Sequence, residues 1–309
     1  MSKQLDKIKN SLALRAKTYK KIRDYFYEKN VLEAEAPILS QYATVDPHID
    51  SLSTQVINQT QYLQTSPEFF LKRLLANGSG DVYSLGKVFR QGERGQRHQP
   101  EFTMLEWYRV AWDEHELMDE VAILLRLFLP HLSVRKISYQ ECFLSELNID
   151  PHSVSVNELK EITHNKLDIE FDSNERSAWL DILISHCIEP SLTEGLVFIY
   201  DYPKEQAALA QLEKNNKGQI IARRFEAYLN GMELANGYFE LTDADEQKKR
   251  FEADQAYRKA NDLPIYPYDK NLVDALKNGM PSCSGVAMGV DRLLMILCNT
   301  VDISDVVFE

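Results

Sequence analysis

Leu5, Ile8, Leu12, Tyr19, Ile22 and Phe26 recur at spacings of three, four and seven, which predicts an amphipathic helix over residues 5–28. Residues 31–36 (Val-Leu-Glu-Ala-Glu-Ala) alternate like a strand and stop at Pro37. A short polar hairpin fits residues 55–63. Ser66, Pro67 and Glu68 then open a helix, with Ser as N-cap, Pro at the first position and Gly78 just past the end. Two strands, 81–91 and 101–110, flank a polar loop that bears Gly and Arg, and residues 114–129 read as a helix. The pattern from 133 to 190 is mixed helix and loop with few chemical signals. Residues 196–200 form a buried strand and 220–241 a hairpin. Thr242 caps a charged helix over 243–261, and a short helix covers 271–277. A Gly-rich strand over 284–290 feeds a closing helix at 291–298. Hairpins outnumber βαβ opportunities, so the expected class is α+β, an antiparallel sheet flanked by helices in one compact domain.

Composition narrows the function classes. The 309 residues carry 35 Lys+Arg against 47 Asp+Glu, a net charge of −12, which excludes a protein that coats nucleic acid through clustered cations. Residues 1–29 run the other way, with nine basic and three acidic side chains. A solvated helix face accounts for this segment, and a docking patch for an acidic partner is a second reading. The four cysteines (Cys142, Cys187, Cys283, Cys298) show no CxxC spacing, as expected of buried, reduced thiols in a cytoplasmic protein. The longest apolar stretch, 121–129, is broken by Arg126 and is too short to span a bilayer. No secretory leader is visible.

The chemistry concentrates in four places. On strand 101–110 the period of two puts Phe102, Met104, Glu106 and Tyr108 on one face, a carboxylate between an aromatic ring and a phenol that suits a cation or an aminoacyl group. The neighbouring strand groups Ser84, Gly86 and Arg90, room for an anion beside a forked guanidinium. Asn230-Gly231 predicts a type I′ turn that pairs Leu229 with Met232, Tyr228 with Glu233 and Glu226 with Ala235. Glu226 and Glu233 then lie on one face as diagonal neighbours, and a cation such as Mg²⁺ between them relieves their repulsion. Residues 285–292 (Gly-Val-Ala-Met-Gly-Val-Asp-Arg) lead a Gly-spaced strand into a helix with Arg292 in its first turn, a natural phosphate site. Neither a P-loop nor a GxGxxG motif is present. Asp46, His48 and Asp50 have metal-ligand residue types, but a loop with local hydrogen bonds is the simpler reading.

Taken together these segments resemble the class II aminoacyl-tRNA synthetase core. Residues 31–37 look like the end of its motif 1, which forms the dimer interface. Val88-Phe-Arg90 through Tyr108, including His98-Gln-Pro-Glu-Phe-Thr-Met-Leu-Glu106, is similar to motif 2, and residues 285–292 are similar to motif 3. The run Glu233-Leu-Ala-Asn-Gly-Tyr-Phe-Glu240 resembles the lysine-specific version. No anticodon-binding OB domain is expected, because the sequence opens with the helix leading into motif 1. That opening, Ala287 where the tRNA enzymes carry Gly, and Met280-Pro-x-Cys-Ser-Gly together resemble the elongation factor P–(R)-β-lysine ligase family.

The resemblance implies activation of (R)-β-lysine, or lysine, as an adenylate with ATP and Mg²⁺. Transfer to a lysine ε-amino group of elongation factor P follows, by a cytoplasmic homodimer that holds no tRNA stably. It implies that Arg90 holds the α-phosphate, that Arg292 and His98 bind the γ-phosphate and that Phe102 stacks the adenine. Gln91, Gly92, Gln99, Leu234 and Gly289 complete the nucleotide site, and Glu226 and Glu233 hold Mg²⁺. Ser66, Pro67, Glu68, Glu106, Tyr108, Asn236, Glu240 and Ala287 receive the amino-acid substrate. Two positions depart from the family pattern: Gly92 stands where motif 2 carries Glu, with Glu93 following, and Gln99 replaces Asn. The rival readings are a freestanding enzyme that acylates tRNA or a small molecule, and a non-catalytic paralogue that binds an amino acid. The acidic body counts against the first, and the retained phosphate-binding arginines and paired carboxylates count against the second.

Overall fold

The computed structural model describes residues 2–307, with side chains from Lys9 onward. In chain order the elements begin α1 (Ser2–Glu28), β1 (Leu32–Glu33), β2 (Leu39–Ser40), β3 (Ser53–Val56), β4 (Gln59–Leu63), α2 (Glu68–Ala76), β5 (Val82–Phe89), β6 (Glu101–Val110) and α3 (Glu114–Arg126). They continue as β7 (Val134–Ser138), α4 (Tyr139–Leu147), α5 (Val156–Lys166), α6 (Arg176–Leu183), β8 (Leu196–Pro203), β9 (Leu212–Lys214), β10 (Ile220–Leu229) and β11 (Met232–Phe239). Last come α7 (Ala244–Ala260), α8 (Lys270–Gly279), β12 (Cys283–Gly289) and α9 (Val290–Leu297). The chain gathers into two compact units, residues 1–112 with 241–309, and residues 113–240.

In the first unit the strand order is β1-β5-β6-β12. β5, β6 and β12 are antiparallel, and β1 adds to the edge in parallel. The strand expected over 31–36 shrinks to Leu32 and Glu33, paired with Val82 and Tyr83 of β5, and contact with β5 ends at the Ala34 amide, which donates to the Tyr83 carbonyl at 2.7 Å. The helical periodicity of α1 is realised as a seam: Ile22 and Phe26 are fully buried, and Phe26 stacks on Tyr83 with centroids 4.5 Å apart. Leu12 instead faces solvent, and the side chains of Leu5 and Ile8 lie outside the described residues. Ser66 does not cap α2. Pro67 occupies the N-cap position with φ −80° and ψ 2°, so Ser66 sits one residue too early to reach the free amides. Asp243, not Thr242, caps α7, accepting from the Asp245 and Glu246 amides. The Asp46–His48–Asp50 loop has one local tie, the His48 amide donating to Asp46, and is otherwise held from far along the chain by buried Arg258, which donates to the carbonyls of Val45, Asp46 and Ile49 and pairs with Asp50 at 3.0 Å.

In the second unit the order is β11-β10-β8-β7, with β9 on β10 and β7 parallel to β8. The segment with few sequence signals becomes helices α4, α5 and α6 around a core that includes Tyr139, Phe143, Trp179 and Tyr202. Asn230 and Gly231 both take positive φ (51° and 75°), as a type I′ turn requires. Leu229 pairs Met232 and Tyr228 pairs Glu233, but the register then slips, so Ala227 pairs Ala235 and Glu226 pairs Asn236. Leu234 is the extra residue of a β-bulge, and the expected Glu226–Ala235 pairing is corrected accordingly. The cysteines are free, with Cys142 and Cys283 buried and Cys298 exposed, contrary to a uniformly buried set. Among the described residues no helix is long and apolar enough to cross a membrane.

Gly195 and Gly231 separate two costs of adding a side chain. Both have positive φ (71° and 75°), but a Cβ on Gly195 meets the Ser133 hydroxyl and carbonyl oxygens at 2.1 and 2.8 Å, whereas one on Gly231 finds its nearest neighbour at 3.6 Å. Gly231→Ala is expected to cost about 1 kcal/mol from the left-handed backbone alone, and Gly195→Ala roughly 1–3 kcal/mol more from the added clash. Denaturant midpoints of the two variants check this; equal losses would mean that the β7–β8 connection relaxes freely.

Candidate active site

Three strands of the first unit build one face around a buried carboxylate. β6 supplies Phe102, Met104, Glu106 and Tyr108, all on one side of the pleat. Across β5 the register sets Ser84 against Glu106, Gly86 against Met104 and Val88 against Phe102. Across β12 it sets Ala287 against Glu106, Gly285 against Tyr108 and Gly289 against Met104. Glu106 is therefore flanked on both sides in the sheet by small residues. Glu106 is 2% exposed, and the Tyr108 hydroxyl donates to its carboxylate at 2.7 Å.

The other end of this face is cationic. Arg90 follows β5, with its amide on the Pro100 carbonyl (2.9 Å) and its Nε donating to the Thr65 carbonyl (3.3 Å). Its guanidinium lies 5.2 Å from the Phe102 ring centroid and pairs with Glu93 at 3.3 Å. Arginine thus covers the aromatic face. The loop between β5 and β6 turns at Gly92 (φ 82°) and again at Gly95–His98, whose backbones bond each other. Gln91 is tied to the Asp50 carbonyl through its amide, and Gln99 is half-buried where the loop re-enters β6. At the first turn of α9, capped by Gly289, Arg292 Nη2 donates to His98 Nε2 at 2.6 Å. Burial and the Arg292 guanidinium push the His98 imidazole below its ordinary value, while Glu93 acts in the opposite sense.

Glu68, at the first position of α2, pairs with Lys72 at 2.6 Å. Lys72 is fully buried, and the sequence reading missed it although its i,i+4 spacing from Glu68 is a visible signal. Ser66 is half-buried and Pro67 buried just before it.

In the second unit Glu226 on β10 accepts from Arg224 (2.5 Å) and from the Tyr228 hydroxyl (2.6 Å). Arg224 also donates to Asn236 at 3.3 Å. The cation beside Glu226 is therefore a guanidinium from the same strand, a partner that the pairing argument left out. Glu233 lies opposite Tyr228 on β11, Leu234 is buried at the bulge, and Glu240 is 1% exposed at the end of this unit. A carboxylate offers about four lone-pair sites, so the donor chemistry of Glu226 and Glu233 still fits Mg²⁺. No three His, Cys, Asp or Glu side chains among the described residues come together as a metal site. Magnesium would then rely on these two carboxylates together with phosphate oxygens and water.

An arginine over an aromatic ring, a His–Arg pair at a helix start and a carboxylate set among glycine and alanine form the combination expected of motifs 2 and 3. The family model for tRNA synthetases class II (D, K and N) matches residues 1–308. The chain belongs to this class II family. Curated relatives agree over most of both chains. A protein of Yersinia enterocolitica is 45% identical over 307 residues, covering 96% of this chain and 94% of its own. One of Photorhabdus laumondii is 45% identical (96% and 93%), and one of Hamiltonella defensa is 43% identical (96% and 94%). All three are named elongation factor P–(R)-β-lysine ligase. Lys72 and Arg224, each paired with a candidate site carboxylate of its own unit, fall outside the motif segments, which is why the sequence comparison passed over them.

The lowered His98 value has a sign that can be checked. His98 stays neutral as pH falls through about 6.5, where an unfolded chain takes up its proton, so its share of stability is present above that pH and declines below it. A proton-detected titration should place His98 below the ordinary imidazole range, and Arg292→Gln should move it up. An unchanged value in the variant would remove Arg292 as a cause.

Proposed function

We propose that this chain is an AMP-forming ligase that activates (R)-β-lysine, or lysine, with ATP and joins it to the ε-amino group of a lysine on elongation factor P. One observation carries the reading. A single sheet face holds a phosphate-type arginine over an aromatic ring at one end and a buried, phenol-bonded carboxylate at the other. The 43–45% identity to ligases of that name supports the same substrates.

In the proposed mechanism Arg90 leaves the Phe102 ring for the α-phosphate, and the ring receives the adenine. Gln91, Gly92 and Gln99 contact the adenosine, with Leu234 and Gly289 lining the nucleotide. Because Gly92 has no side chain, its contact is through the backbone. His98, neutral and already bonded to Arg292, presents its ring with that guanidinium to the γ-phosphate. Glu226 and Glu233 would hold Mg²⁺, which supplies charge neutralisation on the phosphates. A dicationic amino acid needs several carboxylates, since an unpaired buried charge is costly. Glu106 with Tyr108, Glu68, Asn236 and Glu240 fill that role, beside Ser66, Pro67 and Ala287. The substrate carboxylate attacks the α-phosphorus in line, pyrophosphate leaves, and Arg90 stabilises the charge that develops. The amine of the target lysine then attacks the adenylate carbonyl, and AMP leaves.

The proposal includes one catalytic domain over 1–309, a homodimer through residues 31–37, and a cytoplasmic location. Elongation factor P is steered by the basic N-terminal segment, where Lys9, Lys17, Lys20 and Arg23 on α1 and Lys29 just after it are exposed. Tight tRNA binding is not expected of so acidic a chain.

Pyrophosphate exchange with candidate amino acids tests the first half-reaction. Arg90→Ala is expected to lower exchange roughly 100-fold or more in a folded protein; near-wild-type exchange would take Arg90 out of the mechanism. Ala287, set against Glu106, should disfavour the α-amino group of α-lysine, because the β isomer carries its amine one carbon farther from the carboxylate. One misplaced methyl is worth about 10- to 200-fold. Ala287→Gly should therefore raise kcat/KM for α-lysine more than for β-lysine, and an unchanged ratio would make Ala287 a packing residue.

A further inference from the structure

Arg15 lies on α1, outside every segment assigned to substrate, yet its guanidinium touches three parts of the nucleotide site's framework. Its Nη2 pairs with Asp291 at 2.6 Å, with side-chain exposures of 16% and 2%. The same nitrogen donates to the Val306 carbonyl at 2.7 Å. Its Nη1 donates to Thr103 Oγ1 at 3.4 Å and to the Tyr19 hydroxyl at 2.9 Å, and that hydroxyl donates to Thr103 at 3.1 Å.

Asp291 and Thr103 adjoin residues of the proposed ATP site, and Val306 is linked to it through one neighbouring turn. Asp291 precedes Arg292 at the start of α9, and its second oxygen accepts from the Thr103 amide at 2.6 Å. Thr103 follows Phe102. Val306 closes the short helical turn Ile303–Asp305, and the Ile303 amide donates at 2.8 Å to the Gln96 carbonyl, inside the Gly95–His98 turn that presents His98. Ile303 and Val306 are buried, so this turn is packed against the unit rather than trailing from it.

We infer that Arg15 is a positioning residue, a single guanidinium that locks the strand after Phe102, the helix start that bears Arg292 and the turn that bears His98 into one arrangement. A guanidinium suits this task because its fork serves several acceptors in fixed directions, which an ammonium does not. The inference rests on the reading of Phe102, His98 and Arg292 as ATP contacts.

The test compares wild type, Arg15→Lys and Arg15→Met. Removing one partner of a buried pair leaves the other charge uncompensated, so Arg15→Met with Asp291→Asn is made as well and removes the pair without stranding a carboxylate. Three readouts are taken: hydrogen exchange over residues 91–100, ATP binding by calorimetry without amino acid, and KM values in pyrophosphate exchange. The expected result is faster exchange in the 91–100 loop, ATP affinity weaker by about tenfold or more, and an amino-acid KM within about twofold of wild type. Arg15→Lys should recover part of the loss. Unchanged loop exchange and ATP affinity in folded variants, or equal losses for both substrates, would overturn the inference. A loosened loop in a protein whose wild type binds no ATP would count against the ligase reading while supporting the role of Arg15.

Discussion

Burying a carboxylate on the central strand of the first unit is the constraint from which most of the proposed site follows. Glu106 is 2% exposed on β6, and such a group needs compensation from hydrogen bonds or a cation. Tyr108, two residues on and on the same face, supplies one hydrogen bond. The flanking strands contribute Ser84 and Ala287 at the same level, so neither sheet neighbour crowds the carboxylate with a bulky side chain. A face of this kind gains little from apolar packing, and it makes physical sense as the floor for a cationic substrate. The same pleat that points Glu106 upward points Phe102 upward four residues earlier, which ties the two ends of the site to one strand.

Ion pairs within the chain stand where charged ligands are proposed to bind. Glu93 holds Arg90, Lys72 holds Glu68, and Arg224 holds Glu226. On that proposal, binding would exchange one charged partner for another rather than desolvate a bare charge, which would keep the electrostatic cost of entry low. On the proposed reading, Lys72 and Arg224, which lie outside the motif segments, would take part in setting substrate affinity.

Much of this was legible in the sequence, and the parts that were not share a cause. Period-two alternation placed Phe102, Glu106 and Tyr108 on one face, and the Asn-Gly turn fixed the first two pairs of the β10–β11 hairpin, because both signals are local. The bulge at Leu234 was not legible, since a register slip depends on how both strands pack. Arg224 shares parity with Glu226 and was within reach of the same argument. The capping boxes Ser138–Glu141 and Ser155–Glu158 announce α4 and α5 in a stretch that hydrophobic periodicity left mixed. By contrast, the Arg15–Asp291 pair joins residues distant in sequence and has no local signature.

The account stands or falls on the transfer it assigns. The most direct measurement is mass spectrometry of elongation factor P after incubation with this protein, ATP, Mg²⁺ and either (R)-β-lysine or α-lysine. The account predicts an ATP-dependent adduct of one lysyl group on a single lysine of elongation factor P, formed faster from the β isomer. Absence of any adduct under conditions that support pyrophosphate exchange, or acylation of bulk tRNA instead, would contradict it.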